Sequence, residues 1–294
     1  MIKVSAVLSI HNRSELFRRA LGGYLWQTMP PNEWEIILVD DTSTEDLSLT
    51  YRHVIGRVNL THVRIRGGKH PLFAGFHTPA ISTNVGVAFA TGEILCLCHP
   101  EILHAPQNFG GAYSMLGLNR QKSFLFGQTY LGTPEMSATV KEVWLRGYWD
   151  HFLDAMGGRG RIPKFGPTEL YWYTSFLPRE AAIAVRGVDF AFLGGVAGED
   201  DDFKERVSRA GWPPYFEPSI EGFHQDHSTD KDAWDFKRKF DPARYEAALE
   251  RNRKLLDDRK KLAQSSGANL DCDWTGLETV IDVKRYRIGS EVSW

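Results

Sequence analysis

Four stretches of this sequence gather side chains that can handle protons, phosphate charge or a metal ion. Val39-Asp40-Asp41 places two carboxylates at the C-terminal tip of an apolar run. Neither carboxylate serves a core there, and one can accept from a uracil or ribose group. The same pair also reads as a turn in which Asp41 caps Thr42-Ser43. His99-Pro100-Glu101 ends another apolar run. Glu101 is a hard oxygen ligand, and His99 can contact a nucleotide or a metal that tolerates imidazole, such as manganese. Pro100 alone would equally account for a strand-ending turn. In Gly194 to Phe203 glycines precede Glu199, Asp200, Asp201 and Asp202. Crowded carboxylates raise each other's basicity, so one of them can act as a general base. A helix dipole favouring acids in its first turn explains part of the cluster as well. Finally, His224 and His227 are three residues apart, a spacing that lets both imidazoles reach one ion, and Lys231 follows to neutralise phosphate.

Those groups need a scaffold, and the apolar pattern supplies one. Val4–Ile10 and Trp34–Val39 read as buried strands on either side of a helix that starts at Ser14 as N-cap and ends before Pro30-Pro31. A strand, helix and strand in about forty residues form a βαβ unit with a right-handed crossover. Further strands are expected at Leu60–Arg66 and Ile94–Cys98, with a helix over Pro79–Thr91 closed by Gly92. Open α/β sheets bind ligands beyond the carboxyl ends of their strands, and three such ends here carry His11-Asn12, Asp40-Asp41 and His99-x-Glu101. In the second half, the aromatic-rich span 141–178 suggests short strands and a mobile Gly157–Gly160 loop. Its aromatics suit sugar stacking and core packing equally. An acidic helix begins near Gly198, a charged, solvated helix covers Asp241–Leu262, and a terminal strand or hairpin lies around Val280–Tyr286.

The bulk numbers set limits. The chain has 294 residues, 42% of them hydrophobic and 24% charged, which is globular composition with room for one large α/β domain. A formal charge of −2 provides no general pull towards nucleic acid or acidic membranes. Three cysteines make no disulfide framework, and Cys96 and Cys98 read as buried free thiols. No run reaches the roughly 20 apolar residues of a membrane span. A cytoplasmic protein, peripheral at most, is the expectation.

Residues 4 to 101 resemble the nucleotide-binding half of family 2 glycosyltransferases with the GT-A fold. The resemblance is carried by Val7-Leu8-Ser9-Ile10-His11-Asn12-Arg13, Trp34 to Ser43, Ser82-Thr83-Asn84-Val85-Gly86 and Ala90 to Leu95. That family ends the last strand in an Asp-x-Asp metal motif, where this chain has His99-Pro100-Glu101. Residues 187 to 231 look like the catalytic half of the β-1,4-galactosyltransferases, in Gly194 to Phe203 and in His227-Ser228-Thr229-Asp230-Lys231.

The resemblance implies a GT-A (Rossmann-like), mixed, mostly parallel sheet flanked by helices. It would form one domain, 1–235, made of a nucleotide-binding half, 1–101, and an acceptor half, 102–235, with a C-terminal helix and strand appendage over 236–294. It further implies an inverting transfer from a nucleotide sugar, a UDP-hexose or UDP-N-acetylhexosamine, to the hydroxyl of a glycan or other acceptor. Asp200 would be the base, with Glu199 and Asp201 on the acceptor. His11, Asn12, Arg13, Asp40, Asp41, Asn84 and His99 would line the nucleotide. Glu101, His224 and His227 would hold a divalent cation, Mn2+ or Mg2+. Two other readings compete: a nucleotidyltransferase, which would need a glycine-rich phosphate loop absent from Ile10–Ser14, and a non-catalytic nucleotide-sugar-binding protein.

Overall fold

A computed structural model describes residues 1–66, 79–144, 149–193, 195–227, 241–262 and 281–289. Lys231 and the Ser228–Asp230 segment lie outside the described residues. The first half builds β1 (Val4–Ile10), α1 (Ser14–Leu25), β2 (Trp34–Asp41), α2 (Ser48–Tyr51), β3 (Asn59–Ile65), α3 (Ala80–Phe89) and β4 (Ile94–Cys98). Strands β3, β2, β1 and β4 are parallel neighbours, in register from Val4 opposite both Trp34 and Ile94.

The apolar runs are continuous because both faces of these strands are covered. Val4, Ala6, Leu8 and Ile10 face Phe17, Leu21 and Tyr24 of α1, while Val7 and the neighbouring Ile37 and Val39 face Ala80, Ile81 and Val85 of α3. Gly86 is required by this second contact, since a Cβ there would come within 2.3 Å of Val7 Cγ1.

The second half comprises β5 (Ile102–His104), α4 (Asn108–Ala112), β6 (Phe124–Leu131), α5 (Pro134–Trp144), α6 (Trp149–Ala155), β7 (Thr174–Pro178), α7 (Arg179–Ala184), α8 (Glu199–Arg209), β8 (Pro214–His224), α9 (Pro242–Leu262) and β9 (Ile281–Tyr286). The nine strands among the described residues form one mixed sheet in the order β5-β8-β6-β7-β4-β1-β2-β3-β9. β7 runs antiparallel to β4, and β9 antiparallel to β3.

Several expectations need correction. The span 141–178 holds α6 and β7 rather than a series of short strands, because Phe152, Leu153 and Met156 gain more from packing on Leu103, Tyr130 and Phe223. Ser14 is the first helical residue and not the cap. Arg13 precedes it in a left-handed conformation, and the Ser14 main-chain N–H donates to Glu45 Oε2 at 2.9 Å. Helix α9 is not wholly solvated either, since Ala248, Asn252 and Leu256 are buried.

Candidate active site and metal centre

The C-terminal ends of β1, β2 and β4 converge with the residues leading into β7 and α8. Together they line a cleft of about 330 Å3 that includes His11, Arg13, Asp41, His99, Glu199 and Asp200. Its rim is backbone under strain: Asn12, Arg13, Thr42 and Ala197 all have φ between 56° and 65°. Left-handed non-glycine residues cost of order 1–3 kcal/mol each and persist where their surroundings over-determine them. Here the surroundings are hydrogen bonds. Asn12 N donates to Ser43 Oγ at 2.8 Å, Thr44 N donates to Asn12 Oδ1 at 3.0 Å, and His11 Nδ1 donates to the Asp41 carbonyl at 2.6 Å.

Asp40 and Asp41 part company. Asp41 lines the cleft, whereas Asp40 is fully buried, accepts from Ser43 N at 2.9 Å and lies near His62 and Arg64. Burial alone would raise the Asp40 carboxyl; His62 and Ser43 outweigh it and hold it below its usual value. Asn84 is also structural in its contacts, clasping both main-chain groups of Val188 at 2.7 and 2.8 Å.

Next to the cleft, Glu101 is wholly buried and is surrounded by donors. Arg13 Nη1 reaches both of its oxygens at 3.1 Å, while Oε1 lies 3.5 Å from His99 Nδ1, 3.5 Å from His224 Nε2 and 3.4 Å from His227 Nε2. Burial by itself would raise this carboxyl; Arg13 and then the imidazoles of His224, His227 and His99 hold it well below the usual carboxylate range. His224 is lowered chiefly by burial, which keeps its imidazole neutral and able to ligate.

A cation fits this trio. The ligand atoms of Glu101, His224 and His227 lie within 4.8 Å of one another. The two separations from Glu101, 3.5 and 3.4 Å, match the edges of a tetrahedron with bonds of about 2.1 Å, and nitrogen-oxygen donor sets suit borderline metals. His227 Nδ1 is buried with no hydrogen-bond partner among the described residues. Tyr173 wedges between His99 and His224, with ring centroids 5.2 and 4.7 Å away.

A second group, Cys96, Cys98 and His104, also lies close enough to hold an ion. Both cysteines are free and buried. Burial by itself would raise the Cys98 thiol, but hydrogen bonds from Cys96 and then His104 outweigh it and hold it below its usual value. The Asn108 amide, fixed by two bonds to the Glu221 main chain, also lies 3.4 Å from His104 Nδ1.

The acidic cluster splits in two. Asp201 pairs with Lys204 at 2.7 Å, and Asp202 with Arg206 at 2.7 Å and Arg259 at 3.2 Å. Glu199 and Asp200 face the cleft instead. Burial, then the neighbouring Asp200 charge, pushes the Glu199 carboxyl up to about 8. Asp200 is raised as well, by burial and then by Asp201. Pro79, Thr83, Tyr171, Tyr173 and Tyr245 are also part of the lining. Of these, Thr83 lies in the Ser82–Gly86 motif and Tyr171 and Tyr173 in the aromatic-rich span, while no pattern in the sequence marks Pro79 or Tyr245 as part of a site.

No family profile matches the chain, and no curated protein matches it in sequence. Solved structures do match. S. aureus TarS aligns with TM-score 0.54 at 14% identity over 81% of this chain and 39% of that one, so the chain spans well under half of that protein. The mannosyltransferase PcManGT from Pyrobaculum calidifontis, in complex with GDP-Man and Mn2+, aligns with TM-score 0.54 at 16% identity, covering 88% of this chain and 69% of that one. TarS 1-349 in complex with UDP gives TM-score 0.54 at 13% identity over 94% and 74%.

The fold is GT-A-like.

In a GT-A-like sheet the cleft described above lies at the carboxyl ends of the parallel strands, where the sequence motifs end. Among the described residues no helix is long and apolar enough to cross a membrane.

Proposed function

We propose that this chain is an inverting glycosyltransferase of the family 2 type, moving a hexosyl or N-acetylhexosaminyl group from a UDP-sugar to an acceptor hydroxyl with a divalent cation, Mn2+ or Mg2+. The observation that carries the reading is the division of the acids: two carboxylates with no ion-pair partner among the described residues face a cleft whose other wall carries His11, Arg13 and His99. At neutral pH the Glu199 carboxyl, pushed up to about 8, is protonated and can donate to an acceptor oxygen. Asp200 is then the ionised partner that removes the acceptor's proton as the hydroxyl attacks the anomeric carbon and the nucleotide diphosphate leaves. Asp201, which pairs with Lys204 and is not part of the cleft lining, would contact the acceptor only beyond the cleft. His11 and Arg13, positioned by the strained β1 end, face the diphosphate, and Asp41 the nucleoside. Glu101, His224 and His227 would hold the cation, which supplies neutralisation of the diphosphate charge when bound. The GDP-Man and Mn2+ of the mannosyltransferase complex and the UDP of TarS 1-349 support this reading by analogy of fold.

One observation favours a non-catalytic nucleotide-sugar-binding protein: Arg13 already engages both oxygens of Glu101. Titration calorimetry of UDP with and without Mn2+, on wild type and His227→Ala, separates the possibilities. Binding that requires Mn2+ and collapses in the variant is the expected result. Binding indifferent to Mn2+ would sink the metal assignment, and absence of UDP binding would sink the donor. Hydrolysis of a UDP-sugar by wild type, lost in Asp200→Asn with UDP affinity unchanged, is expected of an enzyme and not of a binding module.

A further inference from the structure

The loop that delivers Glu199 and Asp200 is held from outside the acceptor half, by helix α9. Asn252 is wholly buried, and its Nδ2 donates to the carbonyls of Phe192 at 3.1 Å and Ala197 at 2.8 Å. Its Oδ1 accepts from Arg251 Nη1 at 2.6 Å, and Arg251 Nη2 also donates to the Ala191 carbonyl at 3.0 Å. Val196 N donates to the Ala248 carbonyl at 3.2 Å. Further along α9, Arg259 bridges Asp189 and Asp202, at both ends of the same segment. Between these anchors the chain turns through Ala197 (φ 58°) and Gly198 (φ 88°) directly into α8.

Two successive left-handed residues do not hold themselves, and a carbonyl tied at Ala197 fixes the peptide plane between the two. Gly195 completes the fit, because a Cβ on it would lie 2.0 Å from Asn252 Oδ1. We infer that Asn252 is a positioning residue, which by gripping Phe192 and Ala197 sets the left-handed turn that aims Glu199 and Asp200 into the cleft. The inference rests on the proposed roles of those two carboxylates. It makes α9, which also sends Tyr245 to the cleft wall, part of the acceptor site.

The test is a carboxyl carbon-13 NMR titration of glutamate-labelled protein, with the Glu199 signal assigned through Glu199→Gln. Wild type, Asn252→Ser, Gly195→Ala, the double variant and the exposed-site control Arg253→Ala are compared, with near-ultraviolet circular dichroism reporting the fold. In Asn252→Ser the Glu199 midpoint is expected to fall by at least about one pH unit as the loop relaxes and water enters. Gly195→Ala, which displaces the Asn252 side chain, is expected to give the same shift. Adding it to Asn252→Ser should add nothing, and Arg253→Ala should match wild type. A Glu199 titration unchanged in folded Asn252→Ser overturns the inference. If that variant does not fold, an unchanged titration in Gly195→Ala overturns it equally. Failure of UDP to bind would sink the donor reading while leaving this titration to stand by itself.

Discussion

Glu199 and Asp200 are chain neighbours whose surroundings separate their proton affinities. Glu199 is 6% exposed, and burial followed by the Asp200 charge lifts it from 4.5 to about 8. The folded chain thus binds this proton more tightly than the unfolded one. Its contribution to stability is complete below about pH 4.5 and is lost as pH rises through 8. Glu199→Gln keeps the neutral shape without the titration. Thermal unfolding should find the difference from wild type small at pH 5 and the variant more stable at pH 9, by up to about 5 kcal/mol for a rise from 4.5 to about 8. A gap that stays constant between those pH values would show that Glu199 is ionised throughout. Glu221 presents the opposite case, a buried carboxylate that is fully satisfied. It accepts from Tyr130 Oη and Trp149 Nε1 at 2.7 Å each and from Arg159 at 2.8 and 2.9 Å. Glu221→Ala strands the tyrosine and indole donors together, and denaturant unfolding should register a loss of about 3 kcal/mol. A loss below about 1 kcal/mol would mean that water replaces those bonds freely.

At the scale of elements, helix α1 matters most because the residue that caps its start, Arg13, is the one that reaches Glu101. Gly23 lets it lie on β5, since a Cβ there would come within 2.7 Å of the His104 main-chain nitrogen. Backbone cannot swing aside, so Gly23→Ala must lift the helix. The expected result is a loss of about 2–3 kcal/mol in chemical denaturation together with weaker Mn2+-dependent UDP binding. Unchanged UDP binding in a destabilised protein would uncouple α1 from the metal centre. How far elements were legible in the sequence follows from what creates them. Val4–Ile10 and Ile94–Cys98 show as apolar runs because both faces are buried, and the strand-end motifs follow from them. Helix α6 does not, because a glycine-rich stop and scattered aromatics carry no clear period, and tertiary packing decides. Within the candidate site, the strand-end histidines and Glu101 are marked by their position after apolar runs. The Arg13–Glu101 contact joins residues 88 apart and leaves no trace in local spacing. Asn252 is hidden for the same reason, one polar residue among many in a charged helix.

For the whole molecule the sheet is the unit that must stay closed. β9 pairs with β3 over six residues, from Leu60 opposite Tyr286 to Ile65 opposite Ile281, and so covers what would otherwise be an edge. Tyr286 packs on Tyr51, whose hydroxyl bonds to His62 beside Asp40, so this edge is linked to the C-terminal end of β2, where Asp41 lines the cleft. On the opposite face α9 buries Ala248 and Leu256 and grips the 189–202 segment. A helix and strand that complete the sheet and a cleft wall should unfold with them. Scanning calorimetry of the full chain should therefore show one cooperative transition. A chain ending at residue 240 loses both the β3 cover and the loop anchors together. Its melting temperature should fall by more than about 5 °C, with increased aggregation from the bared edge. Two separate transitions in the full chain, or a shortened chain that melts like the parent, would instead make residues 236–294 an independent attachment to a self-sufficient 1–235 domain.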